Sequence, residues 1–319
     1  MKKSLIITIT MVMVLFLSGA VMGQTVLEFW IIEPFTTNPD DAIYEAVKMF
    51  EEQNPEIKVN VNPIPAVDIK DTYVTQVYGG GGPDLATLDI AWQAQLAQLD
   101  LLADITSQYE KIRDKFLEGP ATTGEVGDKA YSVPWYTNNV AFFYNMDLLN
   151  EVGYDEPPKD WNEFEDMCIK VTEQTDAYGV TMGDGQFMSF TYLPFLYSAG
   201  GKVVDEDGPR FHKDGGKVAF KFVTDLYVKH GVMSEGAINA SSWSELYAPF
   251  HHGNAAVTIT GDWGIGPLQD ANVDFEWVIA SPPAYPETGK SATVIGGYNL
   301  AISPNTENFE EAWKFIEFL

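Results

Sequence analysis

From Thr25 to Ile105 short β-branched runs alternate with amphipathic stretches, and no other feature restricts the fold as tightly. "TVLEFWII" (Thr25 to Ile32) predicts a strand. In "NPDDAIYEAVKMFEEQNP", Ile43, Val47 and Phe50 recur at helical spacing; Asp40 or Asp41 can cap the helix and Pro55 stops it. "IKVNVNPI" alternates as a strand does, "DIKDTYVTQVYGG" predicts a helix ending in glycine, "DLATLDI" a strand and "AWQAQLAQLDLLADI" a helix. A βαβα rhythm implies an α/β fold: a mostly parallel sheet covered by helices.

Beyond Lys129 the rhythm changes. Tyr131 to Pro134 and Val140 to Tyr144 are apolar runs flanking a polar and aromatic elbow, Trp135 to Asn139. "PPKDWNEFEDMCIKVTEQ" predicts a helix opened by a capping box of Asp160 and Glu163, and Ser242 with Glu245 makes another. "AAVTITGDW" predicts a strand running into a turn. Two strands joined by a proline-rich loop follow, and "NFEEAWKFIEFL" is a helix still under way at Leu319, so the reading expects a C-terminal part to be missing.

Composition narrows the function classes. With 46 acids against 19 bases the net charge is −27, which disfavours nucleic acid and anionic lipid as partners. Lys2 and Lys3 precede the apolar run Leu5 to Leu17, and small residues follow, so residues 1–23 read as a signal peptide. The expected location is periplasmic or extracellular, with no lipid-anchor cysteine after the run. The one cysteine, Cys168, falls on the apolar face of a predicted helix and reads as core.

Two glycine-bearing stretches imitate phosphate loops. Gly79 to Gly82 lead through Pro83-Asp84 into a strand, whereas a phosphate loop needs a following helix, so these glycines read as the close of the preceding helix. "AYPETGKS" (Ala284 to Ser291) fits a relaxed nucleotide-binding pattern, but prolines precede its lysine and a strand follows. The four histidines, His212, His230, His251 and His252, make no zinc pattern, and no serine-hydrolase elbow is present. No cofactor is expected.

What remains is aromatic residues beside short polar ones at element ends: Trp30 with Glu33, Asp89 with Trp92, Trp135 and Tyr136 with Asn138 and Asn139, Trp243, Asp262 with Trp263, and Tyr298 after Gly296-Gly297. A sugar ring offers an apolar C–H face and a rim of hydroxyls; flat side chains cover the first, and carboxylates and amides bond the second.

These segments resemble the extracellular solute-binding proteins of ABC sugar importers, the family of maltose-binding protein. The likeness rests on "LEFWII", "FEEQNPEIKV", "GGPDLATLDIAWQAQLAQLDLLADI", "AYSVPWYTNNVAFFYNMDLL", "PKDWNEFEDMC", "FHHGNAAVTITGDW" and "GGYNLAISPN", in that order. It implies a bilobal periplasmic-binding-protein-like fold of type II, two α/β lobes joined by hinge strands with sugar in the cleft. Lobe 1 would hold residues 24–134 plus 296–319, and lobe 2 residues 135–295. By the same resemblance the sugar contacts fall at Glu33, Asp89, Trp92, Trp135, Tyr136, Asn138, Trp243 and Trp263. Asp262, Gly297 and Tyr298 join them from the aromatic–polar set. Phe187, Met188 and Phe190 compete for one further aromatic position in lobe 2. The implied partners are a mono- or oligosaccharide and membrane permease subunits, the chain acting as a monomer without catalysis. Two alternatives stand beside this. One is a secreted glycoside hydrolase using Asp89 and Asp262; the other is a receptor for a different solute such as polyamine.

Overall fold

The structure is a computed structural model that describes residues 24–33, 36, 38, 40–183 and 185–319. The proposed signal peptide therefore lies outside the described residues. The first strand and helix, β1 (Thr25–Ile32) and α1 (Ala42–Gln53), fall where the alternation predicts them. Asp41 holds the N-cap position of α1, but its side chain makes no cap bond to the helix. The next strand, β2, spans Ile57–Ile64, and α2 spans Ile69–Tyr78. Their successor β3 covers Leu85–Asp89. The glycine run does close α2: Gly80 and Gly82 take φ of 83° and 99°, and the Gly81 amide bonds the Gln76 carbonyl at 3.0 Å.

The helix expected over Ala91 to Ile105 is much shorter. A single turn at Ile90–Trp92 leads into α3 (Gln93–Gln98), and Asp100 at φ 55° then ends the helical path. The second departure is larger. The elbow expected at Trp135 to Asn139 is instead the middle of one unbroken strand, β4 (Val133–Asn145). Polar residues there suggest a loop; pairing with β8 keeps the backbone extended.

The remaining elements that position the site are α4 (Trp161–Gln174), β5 (Tyr178–Thr181), α5 (Met188–Ser198), α6 (Trp243–His251), β6 (Ala255–Gly261), β7 (Trp277–Ala280), β8 (Ile295–Ile302) and α7 (Phe309–Phe318). Both capping boxes form. Asp160 Oδ1 accepts from Asn162 N at 2.9 Å and Glu163 N at 3.0 Å, and Ser242 Oγ accepts from Glu245 N at 3.2 Å. In each the glutamate reaches one residue further back than expected, to the amides of Lys159 and Ser241.

The sheet has eight strands in the order β2-β1-β3-β8-β4-β6-β5, with β7 also pairing β4. β1 runs parallel to β2 and β3, whereas β8 is antiparallel to both β3 and β4. Leu27, Phe29 and Ile31 of β1 pack with Phe50 of α1 and Phe315 of α7 on one face. On the other, Ala86 and Leu88 meet Tyr73 of α2 and Leu96 of α3. A separate cluster joins Phe142 and Tyr144 of β4 and Ile259 of β6 to Phe164 and Cys168 of α4 and Phe195 of α5. Cys168 is fully buried there, and burial pushes its thiol pKa well up. Among the described residues only β4 contributes strand residues to both sides of this division, Val133 on one and Val140, Phe142 and Tyr144 on the other.

The nucleotide-loop imitation at Ala284 to Ser291 is a turn closed by Tyr285 N donating to Lys290 O at 2.8 Å, with no helix after it. Among the described residues no group of three or more metal-ligating side chains converges.

Candidate functional site

Sheet register gathers three of the expected site residues into one row. Phe29 pairs with Leu85 and Trp30 with Ala86; Glu33 follows the last residue of β1 and is exposed. Asp89 pairs with Tyr298 of β8, and Tyr298 pairs with Tyr136 of β4. Paired residues point to the same face. Asp89, Tyr298 and Tyr136 thus stand side by side on three neighbouring strands, at the C-terminal end of β3, where α/β sheets hold ligands.

The row continues into the second half of the sheet. Tyr136 Oη donates to Asp262 Oδ2 at 3.0 Å, bridging β4 to the turn after β6. Trp263 follows, its ring 5.5 Å from that of Trp243 and 5.7 Å from that of Phe190, both at steep angles. Phe190 and Trp243 also meet, at 5.3 Å. Phe187 is buried beneath them and Met188 is exposed, so Phe190 is the aromatic of that segment placed at the half-exposed surface.

Trp263 is held tightly. Its Nε1 donates to Tyr247 Oη at 2.8 Å, and that hydroxyl pairs with Thr260 Oγ1 at 2.7 Å. The indole also folds over Gly261, where a Cβ would come within 1.9 Å of the ring. Tyr247 was absent from the expected site because it reads as a core aromatic of a helix. It is buried, and only its hydroxyl pairing distinguishes it from packing.

Trp92, Trp135 and Trp263 do not share one apolar interior. Trp92 packs beside Tyr73 and Leu96, with Lys70 Nζ 5.7 Å from its ring centroid. Trp135 packs toward the face covered by α1 and α7, and Trp263 toward the face covered by α5 and α6. All three keep part of their surface open. Asn138 pairs with Gly296 and is buried, and Gly297 pairs with Thr137. Gly297 takes φ 130°, and a Cβ there would lie 2.0 Å from the Tyr136 carbonyl oxygen, so glycine is required for β8 to approach β4.

The electrostatics follow burial. Asp89 Oδ1 accepts from Ala91 N at 2.8 Å, yet burial raises the carboxyl above its ordinary range against that bond and the nearby Lys70. Burial together with Asp89 and Tyr136 pushes the Tyr298 phenol up to about 12. Burial and Asp262 push the Tyr136 phenol likewise to about 12. At neutral pH both phenols are therefore protonated and donate, and the carboxylates accept. Paired donors and acceptors beside open aromatic faces can hold a polyhydroxylated ring.

Known proteins share this architecture. The arabinooligosaccharide-binding protein of Bacillus subtilis is 26% identical over 94% of this chain and 70% of its own length. A solute-binding protein of an ABC transporter from Thermotoga lettingae, solved bound to alpha-D-tagatose, is 28% identical, with TM-score 0.73 over 92% of this chain and 76% of that one. Maltose-bound MalE3 of T. maritima is 27% identical, with TM-score 0.75 over 92% of this chain and 77% of that one. The fold is thus that of the periplasmic binding proteins. A profile of the bacterial extracellular solute-binding protein family matches residues 36–319, and the chain belongs to that family.

Proposed function

We propose that the chain is the extracellular receptor of an ABC importer and that it captures a sugar or oligosaccharide without chemical turnover. The carrying observation is the continuous row from Asp89 through Tyr298 and Tyr136 to Asp262, which ends at the open aromatic group of Trp263, Trp243 and Phe190. That arrangement offers bonds for ring hydroxyls and flat apolar faces for ring C–H groups. Relatives that bind arabinooligosaccharide, maltose and tagatose support the ligand class.

The proposed lobes are residues 24–134 with 296–319, and residues 135–295. Their support is the division of the buried clusters, with β4 crossing between them and β8 paired beside it. On this reading the sugar touches both lobes only when they close, and that differential contact drives closure. The closed form then presents a surface to the membrane permease. Residues 1–23 would direct export and be removed.

Calorimetric titration with neutral mono- and oligosaccharides tests the proposal, and saturable binding is expected. Release of reducing ends from an oligosaccharide would favour the hydrolase alternative instead. Binding of polyamine with no response to any sugar would overturn the carbohydrate reading.

A further inference from the structure

One helix carries a cationic and apolar face in an acidic chain. It spans Gly215–Thr224 and continues through a wider helical turn, Asp225–Lys229. Its inner side is fixed to the fold. Ala219, Val223 and Leu226 are buried, Phe222 stacks on Trp161 of α4 with ring centroids 4.6 Å apart, and Tyr192 Oη of α5 donates to Gly216 O at 3.0 Å. On the outer side Lys217, Phe220, Lys221, Thr224 and Val228 recur three or four residues apart, and Lys229 flanks Val228. Phe220 is 56% exposed and Val228 74%, with Tyr227 at 45% on the margin. The one acid between Gly215 and Lys229, Asp225, is paired with Lys221. Among the described residues no ion pair engages Lys217 or Lys229, so two ammonium groups stand uncompensated beside the exposed apolar side chains.

An anionic bilayer surface matches this face. Phe220 and Val228 can enter the headgroup boundary while lysine stems lie along it and their ammonium groups meet lipid phosphates. A protein partner fits less well. Phe220 and Val228 stand about 12 Å apart along a convex helix ridge, whereas protein contacts centre on contiguous packed anchors and are poor in lysine. The whole-chain balance of 46 acids against 19 bases repels anionic lipid at long range. Exposed charges more than about 8 Å away are screened at physiological salt, so the lysines on the face itself govern the contact.

We propose that the outer face of Gly215–Lys229 is a peripheral docking site for an anionic lipid bilayer. The contact is shallow and reversible. It involves none of the proposed sugar contacts and stands or falls apart from the carbohydrate reading.

The test is flotation of the chain, recovered after export by a bacterial host, with vesicles of phosphatidylcholine alone or containing about one third phosphatidylglycerol, in about 50 mM and about 150 mM salt. Partitioning onto the anionic vesicles should exceed that onto the neutral ones by at least about tenfold at low salt and fall several-fold at the higher salt. Lys217→Glu and Lys229→Glu should each lower it by about fivefold or more, and Phe220→Ser should lower it several-fold at both salt concentrations. Each variant should keep the parent's Tm, which separates docking from folding. Equal partitioning onto neutral and anionic vesicles, or binding that the charge reversals leave unchanged, overturns the proposal. Retention on an acidic polypeptide through the same lysines, with no binding to vesicles, also overturns it and assigns the face to a protein partner.

Discussion

Replacing Trp263 by alanine tests whether the aromatic group is a binding surface or only packing. In the intact protein the indole packs at steep angles against Trp243 and Phe190 and is held at Nε1 by Tyr247, and it stays half-buried, with surface left for a ligand to cover. Covering such a face with a sugar removes about 60–100 Å² of apolar surface from water, or ~1.5–2.5 kcal/mol. Losing it should raise Kd by roughly 10–70-fold for whichever sugar binds tightest. Tyr247→Phe separates the surface from its support. It keeps every ring but leaves the Trp263 N–H and the buried Thr260 hydroxyl without their shared partner, a loss of about 1–2 kcal/mol in stability. Its effect on Kd should be smaller, about 3–10-fold, because the face survives while its orientation loosens. Calorimetric Kd values together with thermal unfolding of each variant provide the readout. A folded Trp263→Ala protein that binds within twofold of the parent would refute the assignment. A Tyr247→Phe protein with unchanged affinity would refute the anchoring argument alone.

Three further outcomes follow from local geometry. Gly297→Ala puts a Cβ 2.0 Å from the Tyr136 carbonyl at φ 130° and should lower stability by about 2–4 kcal/mol; Gly266→Ala, with open space around it in a helix, should raise it by ~0.5–1 kcal/mol, both read from Tm. Asp160→Ala removes the oxygen that accepts from the Asn162 and Glu163 amides and should lower stability by about 1 kcal/mol in denaturant unfolding. Asp104 is held at about 2, below its ordinary 3.8, first by the Lys129 ammonium and then by Thr106. Its depressed pKa stabilises the fold fully above 3.8, and that contribution is lost as pH falls through about 2. The Tm difference between the parent and Asp104→Asn should therefore be largest above that window and vanish at its acid end. A difference constant with pH would contradict the assignment.

The elements that were legible in advance are those in which local pattern and tertiary packing agree. Ile43, Val47 and Phe50 recur at helical spacing and are the residues α1 buries. The glycines after α2 needed left-handed backbone and have it at Gly80 and Gly82. Where the two levels diverge, the reading failed. "DLLADI" carries helix-forming residues, but Leu101, Leu102 and Ile105 each find a buried place in extended or irregular backbone, and that burial outweighs propensity. Trp135 to Asn139 look like a loop because polarity signals solvent, yet β8 pairs with Tyr136 to Asn139 and resumes at Pro134. The expected site residues were found by type and position at element ends. What could not be read was their grouping, since the pairing of Asp89 with Tyr298 and of Tyr298 with Tyr136 joins positions far apart in the chain. Tyr247 carried no signal at all, because a hydroxyl that anchors an indole has the same spacing as one that merely packs.

The bulge in β4 explains how two consecutive aromatic residues serve the same face. In a regular strand Trp135 and Tyr136 would point to opposite sides. Here Val133 pairs with Leu300 and Pro134 with Asn299, but Tyr136, not Trp135, pairs with Tyr298. One residue has been inserted, and the alternation restarts one position late. Val133 and Tyr136 consequently share the face of Leu300 and Tyr298, and Trp135 packs toward that same side, against the cluster under α1 and α7 that holds Val133 and Leu300. The insertion brings the Tyr136 hydroxyl within reach of Asp262 and sets it beside Tyr298. It also falls where β4 passes from one buried cluster toward the next, and bulged strands bend more readily than regular ones. On the bilobal reading, the backbone irregularity that aims Tyr136 into the row is therefore also the place where closure would bend the strand. Deleting Trp135 should restore regular pairing with Tyr136 still opposite Tyr298, but remove the local bend that aims its hydroxyl at Asp262 and lets the strand flex on closure. Sugar affinity should then fall by more than the loss of either side chain alone. If the deletion weakened binding no more than Tyr136→Phe does, the bulge would be a packing detail and this account of the strand would fail.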